Sequence, residues 1–172
     1  MAFPSSSGTI ARLADTEDDY KRKFLVIVDE TEECAKAVTF AALHVRRTGG
    51  SVALLCVIEP DDFQHWMGVE DIMRAEAEDK AEALLARQAS RIASYGSIPT
   101  ESLVREGKTG EEIEALLAED PDIAILVLAA ANSAEGPGPL VSSIAARGAN
   151  ALRVPVIIVP GSISDSELAA IS

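Results

Sequence analysis

The chain has 172 residues and a formal net charge of −13, and 48% of its residues are hydrophobic while only 4% are aromatic. That length supports one domain with a sizeable core, and the core must be aliphatic, the mix that suits a parallel sheet covered on both faces. The acidic balance excludes nucleic acid as the expected partner, because a phosphate backbone is repelled at long range, but a nucleotide held by local backbone N–H groups stays compatible with it.

Residues 1–20 are small and polar, with acids at Asp15, Glu17, Asp18 and Asp19, and read as a flexible segment ahead of the domain. The run Phe24 to Val28 predicts a buried strand ending at Asp29. Thr31 is the expected N-cap of a helix whose apolar stripe is Cys34, Val38, Ala41, Ala42 and Val45, with Gly49-Gly50 ending it. Ser51 to Ile58 reads as a second buried strand, stopped by Glu59-Pro60. A long amphipathic helix is predicted over about Val69 to Tyr95, with Ile72, Met73, Ala77, Ala81, Leu84, Leu85, Gln88 and Ile92 on one face.

A short strand follows over Thr100 to Arg105, and Thr109-Gly-Glu-Glu112 reads as a capping box opening a helix through Ile113, Leu116 and Leu117. Ile123 to Ala131 is a buried strand, then a Gly/Pro loop, then a helix over about Val141 to Leu152 opening at Ser142-Ser143. The last strand is Val154 to Val159, and residues 161–172 form a tail with a helical turn near Ser166 to Ile171. Strands and helices alternate with no hairpin signal, which predicts a doubly wound α/β fold with right-handed crossovers.

Chemistry-bearing residues are few. Cys34 and Cys56 are too few for a disulfide framework or a metal site. Cys34 falls in a first helical turn, where the dipole favours a thiolate, although packing is the preferred reading. His44 and His65 are isolated, His44 on a helix flank and His65 in a loop beside Trp66. No catalytic residue and no metal ligand is assigned. No leader-like segment opens the chain and the longest apolar run is too short to span a bilayer, so a cytoplasmic protein with no membrane partner is expected.

In an open parallel sheet, ligands bind beyond the carboxyl ends of the strands at the switch point. That directs attention to Asp29-Glu30-Thr31, to Val57 to Pro60, to Gly107-Lys108-Thr109 and to the loop after Leu128. The tips of the first and fourth strands are neighbours in the order 3-2-1-4-5.

These pieces together resemble the universal stress protein family over residues 21–160. Val-Asp-Glu-Thr-Glu after the first strand is similar to the family's Val-Asp-Gly-Ser-Glu, Val-Arg-Glu-Gly107 to its Val-x-x-Gly, and Arg-Val-Pro-Val-Ile-Ile-Val to its closing strand. The resemblance implies a five-stranded parallel sheet in the order 3-2-1-4-5 with helices on both faces. It also implies a nucleotide loop of the form Gly-x2-Gly-x9-Gly-Ser/Thr, which falls here on Ala129-x2-Asn132-x9-Ser142-Ser143. The spacing and the final hydroxyl remain, and all three glycines are replaced. Gly136 and Gly138 lie elsewhere in the loop, and Pro137 and Pro139 remove two backbone donors. Asn132 is a residue that tolerates a left-handed conformation, and Ser142 is a good helix opener.

By the same resemblance, Asp29 matches the acidic residue near ribose and phosphate, and Val57 the residue whose backbone meets adenine. Glu30 stands in place of a glycine and sets a second carboxylate where a polyanion would come. ATP with magnesium is thus the candidate cofactor, opposed by the altered loop. The resemblance further implies a homodimer through the last strand, with Val154, Val156, Ile157, Ile158 and Val159 as interface candidates; the alternative is that the tail covers that edge. Three functions follow: a stress-response binding or regulatory module without tight ATP binding, an ATP-binding sensor using Ser142, Ser143 and loop backbone, or an enzyme such as a slow ATPase, for which no base or metal cluster is apparent.

Overall fold

The computed structural model describes residues 22–60, 68–147 and 152–172. The segment 1–20 and the pair His65 and Trp66 lie outside the described residues. The strands are β1 (Lys23–Ile27), β2 (Ser51–Ile58), β3 (Thr100–Glu106), β4 (Ile123–Ala130) and β5 (Val156–Pro160). The helices are α1 (Cys34–Thr48), α2 (Glu70–Ala93), α3 (Thr109–Glu119), α4 (Pro139–Arg147) and α5 (Asp165–Ile171). The five strands form one parallel sheet in the order β3-β2-β1-β4-β5, as expected.

Two-residue alternation explains why the strand sequences are apolar throughout. Phe24, Val26 and Val28 face one cluster with Val52, Leu54 and Cys56, and α1, α2 and α5 cover it. Leu25 and Ile27 face the other with Ala53, Leu55, Leu126 and Leu128, beneath α3 and α4. With both faces covered, no position on the central strands can be polar without burying an unpaired group.

The stripe predicted for α1 is buried, and so are Ala37, Phe40 and Leu43 beside it. The extra burial has a cause, since α1 packs against the sheet, α2 and α5 at once. On α2, Ala81, Leu85, Gln88 and Ile92 are buried, whereas Ile72, placed on that face from sequence, is 60% exposed. Met73, Ala77 and Ala81 follow the four-residue row of the buried stripe, and Ile72 lies about 100° off it.

Three helix starts differ from expectation. Thr31 does not cap α1, because its N–H (2.9 Å) and hydroxyl donate to Asp29 Oδ1 in a local turn, and the N-cap position falls on Glu33. Thr109 is the first residue of α3, not its cap, and Lys108 occupies the N-cap position without a side-chain hydrogen bond. The helix placed at Val141 starts at Pro139. Gly138, at φ +99, turns the chain, Pro139 brings a pre-set φ to the first turn, and Ser142 N–H donates to Gly138 O at 3.0 Å. Ser142 and Ser143 are therefore inside α4 and do not open it.

Cys34 is fully buried, and burial pushes its thiol up to about 11. This overturns the idea that the helix end favours a thiolate there, because desolvation outweighs the dipole. His44 sits between Phe24 and Phe40, with ring centroids 5.2 and 5.7 Å away. Burial, aided by Arg22 and Arg47, lowers its pKa.

Arg153 ties β5 to the end of α3. Its guanidinium donates to the carbonyls of Leu117 (2.7 Å), Asp120 (2.6 Å) and Ile123 (3.1 Å). The carbonyls of Leu117 and Asp120 lie at a helix end that lacks a glycine cap, and that of Ile123 opens β4. Arg153→Ala is expected to cost about 2 kcal/mol of stability, the scale of charge-assisted hydrogen bonds. Urea unfolding checks it, and a change under about 0.5 kcal/mol would mean that water replaces the guanidinium without loss.

Candidate functional site

A cleft of about 480 Å³ opens at the carboxyl ends of β1 and β2, beside the point where the sheet order reverses. β1 delivers Ile27, Val28 and Asp29, and β2 delivers Val57 and Glu59. The first turn of α3 supplies Thr109, Gly110 and Glu111, with Lys108 just before it. One face of α4 supplies Leu140, Ser143 and Arg147 at helical spacing of three and four, together with Pro139. A second cavity of about 260 Å³ lies across the strand tips toward α2, and Asp29, Val57 and Glu59 border both.

Of the residues matched to the nucleotide loop and its surroundings, Asp29, Val57 and Ser143 converge on the larger cleft. Ala129, Asn132 and Ser142 do not line it. Ala129 packs against the core cluster on the α1 side. Asn132 is exposed in the loop, and Ser142 is exposed on α4. Among the described residues only glycines have positive φ, so Asn132 does not use the left-handed conformation open to it. Gly136 (φ +109) and Gly138 (φ +99) take that role instead.

The loop between β4 and α4 folds on itself. Ala131 N–H donates to Pro137 O at 3.0 Å, Gly136 N–H donates to Ser133 O at 3.2 Å, and the Ser133 hydroxyl donates to Gly136 O at 3.2 Å. These donors are spent inside the loop, and Pro137 and Pro139 have none to offer.

Glu59 was not singled out from sequence, although it lies in the segment after the second strand. It closes the opposite wall. Its Oε1 accepts from Thr109 N–H at 3.0 Å and from the Thr109 hydroxyl, so a carboxylate of the chain sits at the N-terminus of α3. The hydroxyl and backbone hydrogen bonds from Thr109, with nearby Lys108, hold its pKa below the usual carboxylate range.

Glu30, expected to face an incoming polyanion, is paired with Lys80 of α2 and borders the smaller cavity. Arg147 also escaped notice in the sequence, though its register with Leu140 and Ser143 was a usable signal. It pairs with Glu114 and packs on Gly110, where an added Cβ would come 3.2 Å from its guanidinium. Among the described residues no three His, Cys, Asp or Glu side chains are grouped to hold a metal ion, and no helix is long and apolar enough to cross a membrane.

A doubly wound parallel sheet with a cleft at its switch point defines a ligand-binding class of α/β domain. The family model described as the universal stress protein family matches residues 21–160, and the chain belongs to that family. Among solved structures it is similar to universal stress protein UspA from Lactobacillus plantarum, at 20% identity and TM-score 0.64, covering 81% of this chain and 97% of that one. A protein of the family from Burkholderia pseudomallei is similar at 15% identity and TM-score 0.64, covering 83% and 98%. The universal stress protein from Archaeoglobus fulgidus in complex with dAMP is similar at 17% identity and TM-score 0.59, covering 81% and 98%. At these identities the likeness is one of fold. No curated protein matches the chain.

Proposed function

We propose that this chain is a binding or regulatory domain of the stress response that uses the larger cleft for a ligand but does not hold ATP tightly. The observation that carries the proposal is the self-closed loop before α4, whose donors at Ala131 and Gly136 are spent internally and whose prolines supply none. A triphosphate needs several backbone N–H groups aimed at it and close backbone approach. Here the residues at the three glycine positions are Ala129, Asn132 and Ser142, and none of them faces the cleft.

A second reading is an ATP-binding sensor. It is favoured by the convergence of Asp29, Val57 and Ser143 on one cleft and by the dAMP held by the Archaeoglobus relative. A slow ATPase has no group assigned to carry the chemistry. Titration calorimetry of nucleotide-free protein with ATP and magnesium separates the readings. No saturable heat up to about millimolar ATP is expected, and binding at about micromolar ATP would establish the sensor instead.

We further propose a cytoplasmic homodimer built on β5. That strand lies at the sheet edge, and Ile158 on it is 44% exposed. Val156 and Ile157 are half-buried, while Val154 and Val159 are buried in the chain's own core. Packing of α5 on α1 supports an edge left open to a partner copy over one covered by the tail.

A further inference from the structure

His44, near the end of α1, lies over the amino end of β1, at the opposite end of the sheet from the cleft. Its ring is half-buried between Phe24 and Phe40, and its Nδ1 is buried without a hydrogen-bond partner. The two charges that bear on it are both cations. Arg22 reaches over Phe24, 6.0 Å from the ring centroid, and donates to the carbonyls of Thr48 (2.9 Å) and Gly49 (3.5 Å), where α1 ends. Arg47, one turn after His44, donates to the carbonyls of Ala169 (2.7 Å) and Ser172 and so holds α5.

Among the described residues, no element packed against α1 turns a carboxylate toward His44. β2, β4 and β5 carry no charged side chain. Lys23 opens β1 and alternates to the face opposite Phe24, where it pairs with Glu101 and Asp120. The acids of α2 run from Glu70 to Glu82, in its half toward the cleft, where Lys80 meets Glu30. Farther along α2, Arg87 bears on Cys34 and Arg91 on Asp165. On α5, Asp165 pairs with Lys36, and Glu167 is held by Ser164. The remaining charge at the end of α1, Arg46, is a further cation, exposed.

A neutral ring leaves Nδ1 as a bare acceptor, whereas a protonated ring makes both nitrogens donors. Protonation therefore buries a donor that has no acceptor, and it does so beside two guanidiniums. A helix end and an aromatic face each attract a cation, but Arg22 already serves both the end of α1 and the face of Phe24. We infer that His44 is an acid-sensitive joint whose protonation unseats α5 from α1. The helix α5 yields first because Arg47, which the new charge repels, is one of its ties, and because seven residues have no helical order of their own. In the unfolded chain the ring titrates at its ordinary 6.5, and in the folded chain lower. The unfolded chain takes the proton first, so stability present above about pH 7 is lost as the pH falls below it.

The test is urea unfolding and hydrogen–deuterium exchange of the full chain at about pH 7.5 and about pH 5.5. On acidification the unfolding equilibrium constant of the native chain should rise at least about threefold more than that of His44→Phe. Protection of the α5 amides should fall with it, once the intrinsic pH dependence of exchange is removed. His44→Phe keeps a flat ring between Phe24 and Phe40 but cannot take a proton. His44→Gln removes the titration in a second way, so that repacking in one variant leaves the other to decide. His65→Gln removes the only other histidine of the chain and should respond to pH as the native chain does. A pH response shared by the native chain and both His44 variants would overturn the inference, as would a response lost with His65→Gln. So would α5 amides that lose no more protection on acidification than those of β1.

Discussion

Replacing Leu168 by Ala is expected to lower the free energy of unfolding by about 2–5 kcal/mol, the range for emptying a well-packed leucine site. Leu168 is fully buried in the cluster formed by α1, α2 and one face of the sheet. It belongs to α5, which lies beyond the 21–160 span matched by the family model. A helix of seven residues has no stability of its own, so its order depends on what it docks against. Three polar ties hold it beside that apolar anchor. Arg47 donates to the carbonyls of Ala169 (2.7 Å) and Ser172, Lys36 pairs with Asp165 at 2.7 Å, and Ser164 with Glu167 closes the first turn. Urea unfolding followed by circular dichroism measures the change. Ile171→Ala is the control, since Ile171 is 60% exposed and its loss should change stability by no more than about 0.5 kcal/mol. Equal effects of the two substitutions would mean that α5 contributes nothing as a docked element.

The same helix shows what a sequence pattern can and cannot decide. Ser164-x-x-Glu167 and Thr109-x-x-Glu112 both have the capping-box form. At Ser164 the box is realised, with the hydroxyl accepting from Glu167 N–H at 3.2 Å and the Glu167 carboxylate accepting from Ser164 N–H at 2.9 Å. At Thr109 it is not. Glu59, fifty residues earlier in the chain, accepts from both the N–H and the hydroxyl of Thr109. Glu112 turns instead toward Arg105, 3.6 Å away. A local pattern survives when nothing distant competes for its atoms, and a partner brought by the sheet can always outbid it.

The alternation of strand and helix was legible in the apolar runs on β1, β2 and β4 and the amphipathic helices between them, which allow few topologies. The order β3-β2-β1-β4-β5 is the one that the family resemblance implied. The site was less legible. Asp29 and Val57 sit at strand ends, where the end of an apolar run marks the position. Ser143 reached the cleft for a different reason from the one expected. It faces inward on the second turn of α4 because Gly138-Pro139 start that helix early. Arg147 and Glu59 matter through pairing with α3, which no local spacing announces.

The ordering of the loop follows from that early start. With α4 beginning at Pro139, the segment from Ala131 to Pro137 is left to close on its own hydrogen bonds, and the positive φ angles move to Gly136 and Gly138. Restoring glycine at Ala129, Asn132 and Ser142 would thus alter positions that do not need it.

Replacing Ile158 by Asp is expected to dissociate the proposed homodimer, raising its Kd by about a hundredfold or more, while the monomer stays folded. β5 pairs with β4 through Leu126↔Val156 to Ala130↔Pro160 and turns its other backbone edge outward. Val156 packs on the α3 and α4 side, and two-residue alternation places Ile158 on that same face, 44% exposed. Antiparallel pairing across a two-fold axis would extend this face into the partner copy and cover Ile158 there. Pro155 and Pro160 limit the pairing to the residues between them, since neither has an N–H to give. A carboxylate at position 158 would be carried into the seam twice, once from each copy, combining desolvation with like-charge repulsion across a short strand pair. Sedimentation velocity over a concentration series reads the equilibrium directly, with circular dichroism to establish that the variant is folded. A native chain that sediments as a monomer at all concentrations would overturn the homodimer, and an Ile158→Asp variant that stays dimeric would place self-association away from β5. The Asp substitution acts on an exposed side chain, so loss of the dimer with an unchanged unfolding midpoint would separate the role of the edge in assembly from any role in holding the domain together.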